Sequence, residues 1–241
     1  MKIEIQVPTK LSDISLEKYQ AFVEIQKSES HDVLIAKQLI STFCGIKMNH
    51  VGLMKKKSID EVTDVLIEIF STRPEFQQRF ELGGQEFGFI PNLEDITMDE
   101  YIDLDNNIGD FKTMHKAMAV MYRPIIKTKG DKYEIEPYIS NITYADVMKH
   151  SPSSVAIGAQ VFFWNLKISL LKGLITSLEK ELKEMSIQLQ HSSIKNGDGT
   201  TVYTHSLEEM YKNLRELENL DYHNVFNGLH TKVIGLKQKN Q

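Results

Sequence analysis

The sequence predicts a mostly α-helical α+β fold: short β-hairpins with capped helices, then a long helix and an antiparallel helical hairpin. Three observations carry the prediction. A lead-in of the form Leu-x-Asp-Ile-Ser/Thr-Leu/Met-acidic-x-Tyr occurs at Leu11–Tyr19 and again at Leu93–Tyr101, 82 residues apart. Gly83-Gly84 sits between two alternating runs, the pattern of a two-residue hairpin whose turn needs positive φ. From Ser151-Pro152 the chain runs to about Gln190 without a helix breaker. The chain therefore reads as an α+β body over 1-150, with a duplicated strand, lead-in and helix, followed over 151-241 by the long helix, the helical hairpin and a C-terminal tail.

Met1–Val7 alternates apolar and polar residues, as a half-buried strand does. Ser15 then caps a helix to about Lys27, with Leu16, Tyr19, Phe22 and Val23 on one face. A second helix from about Ser30 carries Val33, Leu34, Leu39, Ile40 and Phe43 as its apolar positions and stops at Gly45. Met48–Lys57 reads as a loop ending in three lysines. Ser58 with Glu61 forms a capping box for a helix through Phe70, with Val62, Val65, Leu66 and Ile69 inward; Arg73-Pro74 closes it.

The Gly83-Gly84 turn pairs Phe80 with Phe87 and Leu82 with Gln85. The second strand runs into Ile90-Pro91 and the repeated lead-in. There Thr97 and Glu100 make a capping box and Ile96 and Tyr101 a hydrophobic staple, as Ile14 and Tyr19 do in the first copy. A weaker echo, Asn141–Asp146, predicts a helix from Thr143 with Ile142 and Val147 as its staple. Asp110 caps Phe111–Met121, whose Met114, Ala117, Met118 and Met121 form a core stripe. Ile125–Thr128 and Tyr133–Glu136 flank Lys129–Lys132 as a second hairpin. Ser151 and Pro152 supply N-cap and N1 of a helix of about 37 residues, about 55 Å long. It is apolar nearly all round at first and then narrows to Leu171, Leu174, Leu178, Leu182, Met185 and Leu189. Ser206–Asp221, with Leu207, Met210, Leu214, Leu217 and Leu220, returns as the second arm. Tyr222–Gln241 is a tail with a basic end.

Composition narrows the function. Over 241 residues the net charge is −5, which argues against a broad nucleic-acid footprint. The single cysteine, Cys44, excludes an intramolecular disulfide and a cysteine-based zinc cluster; it reads as a buried, inert thiol. Lys2-Ile3-Glu4-Ile5 is unlike a signal peptide, so an intracellularly made protein is expected. The apolar run Val155–Leu178 contains Gln160, Asn165, Lys167 and Lys172, and no membrane span is expected of it.

A search for chemistry yields no catalytic, cofactor-binding or metal-ligating residue to nominate. The eight histidines make no His-x-x-x-His pair, and His223 and His230 lack a matching acidic neighbour. Asp103–Asp110 resembles a calcium loop but has Ile108 where glycine and Met114 where glutamate would be needed. Asp103/Asp105 and Glu94/Asp95 are ordinary solvated carboxylates. Asn141-Ile142-Thr143 matches a glycosylation sequon, which is irrelevant without a secretory route.

The doubled Leu-x-Asp-Ile-Ser/Thr lead-in, together with Met114-His115-Lys116-Ala117-Met118-Ala119-Val120-Met121-Tyr122-Arg123-Pro124-Ile125, resembles proteins encoded among the virion genes of crAss-like tailed phages infecting Bacteroidetes. The likeness covers roughly residues 1 to 180. It implies a non-enzymatic virion component, a cargo protein packaged in the capsid or tail and delivered with the genome. Its partners would then be other virion proteins (tail, portal or cargo subunits), with self-association through the helical hairpin. Two alternatives stand beside it: a tail assembly chaperone or fixed tail or ring component, and a DNA-associated protein using Lys55–Lys57 and the lysines of 232–239. An enzyme would need a pocket of titratable residues assembled from distant positions.

Overall fold

The computed structural model describes residues 5–28, 31–140, 142–191, 205–206 and 209–212, with 26–28, 32 and 185–191 described by their backbone alone. The fold is α+β and mostly helical. The chain divides inside its longest helix into two compact units, Met1–Val161 with Leu229–Gln241, and Phe162–Gly228. The sequence-based division falls at 150/151, before that helix begins.

In the first unit, helices α1 (Leu16–Ser28), α2 (Asp32–Cys44), α3 (Met48–Val51) and α4 (Lys56–Ser71) precede the hairpin β1 (Arg79–Leu82) and β2 (Gln85–Phe89). Next come α5 (Met98–Ile108), α6 (Met114–Met121), the hairpin β3 (Tyr122–Lys129) and β4 (Lys132–Ile135), α7 (Ala145–Met148) and the start of α8 (Ser153–His191). The strands form one antiparallel sheet in the order β1-β2-β3-β4. Gly83, Gly84 and Gly130 take the positive φ that the two turns demand. The first hairpin has the expected register, Phe80 opposite Phe87 and Leu82 opposite Gln85. β3 starts three residues earlier than its hairpin pattern suggests, because Tyr122 and Arg123 pair with Phe89 and Gly88 of β2.

Both copies of the lead-in fold as a 3-10 turn followed by a helix, Leu11–Asp13 before α1 and Leu93–Asp95 before α5. The shared aspartate holds each turn. Asp13 accepts from the Thr9 and Lys10 amides, and Asp95 from the Asn92 side-chain amide at 2.7 Å. The expected strand in front of the first copy is not formed by its described residues: 5–8 are unpaired, and 1–4 lie outside the described residues. The chain there is tied elsewhere, by a bridge from Ser15 to Pro152.

That bridge belongs to an exchange of helix caps. The Leu16 and Glu17 amides at the start of α1 donate to the carbonyls of Ser151 and Lys149, both at 2.8 Å. In return the Ser153 amide at the start of α8 donates to Ile14, and the Ser153 hydroxyl to Leu11. Ser151 is therefore not the side-chain cap of α8: its hydroxyl donates to Met148. Each helix start finds acceptors for its orphan amides in the other's lead-in.

The core forms from α1, α2 and α4, where Phe22 meets Phe43 edge-on at 5.1 Å and Phe43 lies 4.9 Å from Phe70. Met114, Met118 and Met121 of α6 are fully buried, as their stripe predicts. Full burial of side chains of this size is worth roughly 1.5–3 kcal/mol each. Several facing assignments need correction. Val33 and Leu34 are exposed, because the α2 stripe is set by Ile35, Leu39, Ile40 and Phe43, and residues 33 and 34 lie around the far side of that turn. α4 begins at Lys56, not Ser58, directly after the turn that ends α3, and its inward face is Thr63, Leu66, Ile67 and Ile69; Val65 is exposed. α7 begins at Ala145, not Thr143, with Ile142 and Val147 both exposed.

In the second unit, α8 buries Leu171 and Ile175, with Leu178 and Leu182 half-buried. This i, i+4, i+7, i+11 stripe excludes Leu174, which is exposed; Met210 is exposed as well. The second arm of the expected hairpin lies mostly outside the described residues. Its Tyr211 hydroxyl donates to Glu179 at 2.7 Å, which returns residue 211 to the side of α8. Ser153–Glu184 is long and apolar enough to cross a membrane, contrary to the reading of its polar residues, but half of its apolar window is buried within the protein. A core helix explains that burial.

Two glycines of α8 give opposite predictions. A Cβ on Gly158 would lie 2.5 Å from the Glu75 carbonyl oxygen, so Gly158→Ala should destabilise by about 1–3 kcal/mol in urea denaturation. Gly173 has open space, so Gly173→Ala should be neutral or stabilise by up to about 1 kcal/mol.

His115 of α6 offers a pH test. Its Nδ1 lies 3.1 Å from the buried Gln20 amide, and burial holds its pKa below the ordinary 6.5. The unfolded chain therefore takes up this proton first. The His115 contribution is fully present above pH 6.5 and is lost as pH falls below it. Replacing His115 with Gln should flatten the decline in unfolding free energy between about pH 7.5 and pH 5.5 relative to the unmodified chain.

Candidate functional site

Strand alternation sends consecutive β3 residues to opposite faces of the sheet. Tyr122 joins Phe80 and Phe89 on one face, at ring distances of 5.2 and 5.3 Å, and its hydroxyl donates to Gln77. Arg123 emerges on the other face, opposite Gly88 of β2. The absence of a side chain at Gly88 matters here, since a Cβ would strike the Tyr133 ring at 2.4 Å. Tyr133 also receives the Arg79 guanidinium over its ring at 4.4 Å.

The start of α5 delivers a carboxylate to Arg123. Thr97 and Glu100 form the complete capping box: the Glu100 amide donates to Thr97 Oγ1 at 3.2 Å, and the Thr97 amide to Glu100 Oε2 at 2.7 Å. The other oxygen, Oε1, accepts from Arg123 Nη2 at 2.6 Å. The pair is almost dry, with side chains 6% and 8% exposed respectively. Among the described residues, the buried Nε and Nη1 of Arg123 meet no acceptor. The guanidinium lies 5.5 Å from the centre of the Tyr138 ring, and the Tyr138 hydroxyl donates to Asp103.

This pair borders an open cleft of about 420 Å³ between the Ile90–Thr97 lead-in and the Ile135–Tyr138 segment that follows β4. Asp95 and Glu136 also line it. Glu136 accepts from the Tyr144 hydroxyl at 2.5 Å, and that bond to a carboxylate raises the phenol to about 12.

The sequence marks Thr97–Glu100 as a cap but does not distinguish its glutamate as buried. In the second copy the staple positions are the ones left out: Ile96 is half-buried and Tyr101 exposed, whereas Ile14 and Tyr19 of the first copy are buried. The acid at N3 goes inward because Arg123 waits there; the first copy has Lys18 at that position. Asp103 and Asp105 lie within α5, so their backbone is helical and forms no calcium loop. Cys44 is half-buried rather than enclosed, and desolvation pushes its thiol up. Lys55–Lys57 are exposed, with Lys57 3.9 Å from Glu61. His223, His230, Asn141 and the lysines of 232–239 lie outside the described residues. Among the described residues no group of three or more His, Cys, Asp or Glu is placed to hold a metal ion.

Comparison of the chain with protein-family models, with curated proteins and with solved structures yields no match.

The buried pair predicts a non-additive response. Arg123→Met strands the Glu100 carboxylate and should cost about 3–5 kcal/mol of unfolding free energy. Adding Glu100→Leu to that variant should recover part of the loss, as a double-mutant cycle in guanidinium chloride would show. Full recovery is not expected, since Glu100 also closes the α5 capping box, worth about 1 kcal/mol.

Proposed function

We propose that this chain is a non-enzymatic virion protein that acts through protein–protein contacts, carried as cargo in the capsid or tail and delivered with the genome. The observation that supports a contact role is the outer side of α5. Met98, Tyr101 and Ile102, at i, i+3 and i+4, are 71%, 54% and 47% exposed. Ile139 and Ile142, in the segment tied to α5 through Tyr138 and Asp103, are exposed too. Large apolar side chains that neighbour one another on one helix face, as Met98, Tyr101 and Ile102 do, mark partner sites more often than scattered single ones. The virion setting rests on the resemblance of the doubled lead-in and of Met114–Ile125 to proteins of crAss-like phages. A tail assembly chaperone would use the same surface transiently and leave the finished particle.

Mass spectrometry of purified, nuclease-treated particles separates these roles. The cargo reading expects the protein in full particles and its loss from particles emptied of DNA. Retention in emptied shells would make it a fixed component. Its absence from both would remove the virion reading and favour the chaperone.

A further inference from the structure

We infer that the cleft beside the Glu100–Arg123 pair receives an extended, basic segment of a partner protein. The inference deepens the contact role proposed above and rests on it.

The charge of the cleft selects against an anion. Glu100 already neutralises Arg123 at 2.6 Å, and Asp95 and Glu136 add two acidic groups to the lining that meet no cation among the described residues. An approaching carboxylate or phosphate would meet net negative charge, whereas a lysine or arginine side chain would be drawn in.

The rest of the lining suits such a segment. Pro91, Ile96, Ile135 and Pro137 offer apolar walls to the aliphatic stem of a basic side chain. A volume of about 420 Å³ admits one or two side chains, not a folded domain. Thr97 and Tyr138, on the lining, are followed in the chain by the exposed apolar side chains Met98 and Ile139.

The test uses the full chain and three capped peptides of alternating leucine and serine, identical except for a central lysine, glutamine or glutamate. Isothermal titration at low salt is expected to rank them lysine, glutamine, glutamate, with about tenfold between the first and last. The lysine peptide should weaken as salt rises. Ile96→Arg places bulk and positive charge on the wall at a half-buried position outside the buried pair; circular dichroism checks its fold, and binding of the lysine peptide should be lost. Three results would overturn the inference: no binding of any peptide at millimolar concentration, preference for the glutamate peptide, or undiminished binding by folded Ile96→Arg. Particle composition is measured separately, so a protein found in virions that binds none of the peptides loses the cleft and keeps the contact role.

Discussion

Helix starts are the costly points of this fold, and two of them are solved together. Leu16 and Glu17 donate to Ser151 and Lys149, and Ser153 donates back to Ile14. Residues far apart in the chain thereby become one unit, with each lead-in serving as the other's cap. Everything between them must close on itself within that constraint. The turn of Leu11–Asp13 is held by Asp13, the fully buried Ile14 and Leu16 pack beneath the exchange, and α7 ends where its carbonyl can reach Glu17. The unmet amides of isolated helix termini would otherwise face a dry interior.

The second lead-in uses the same local chemistry for a different purpose. Its capping box is complete, yet the glutamate that closes it is buried against Arg123. One carboxylate thus serves a helix start with one oxygen and a strand residue with the other, coupling α5 to β3. Such a pair adds little net stability when intact, because desolvating two charges offsets most of their attraction. What it adds is placement. Arg123 is held beside Tyr138, and the segment after β4 is drawn over α5. A cleft remains where the lead-in and this segment part.

The cleft lining combines apolar residues, Pro91, Ile96, Ile135 and Pro137, with the acidic Asp95 and Glu136, and α5 exposes Met98, Tyr101 and Ile102. An apolar surface with few polar groups binds widely, and charged groups at its edge restrict which partners it takes. The remaining long helix, α8, carries its own inward stripe in the second unit, with Leu171 and Ile175 buried and Leu178 and Leu182 half-buried.

Much of the architecture follows from local chemistry alone. The Gly83-Gly84 turn, its Phe80–Phe87 register, the left-handed Gly45 stop, the Thr97–Glu100 box and the methionine stripe of α6 each depend on residues within one turn or one hairpin. So the fold class and most helices were legible in the sequence. What depends on distant neighbours was not. Whether Val33, Val65 or Leu174 faces in is set by what packs on each helix, and apolar residues on several sides leave that phase open. The capping of α8 by Ile14 in place of Ser151 and the burial of Glu100 are likewise decided by partners far away in the chain. Local hydrogen bonds specify where a helix starts; only tertiary packing specifies which of its polar groups is taken out of water, because desolvation is a property of the surroundings and not of the residue.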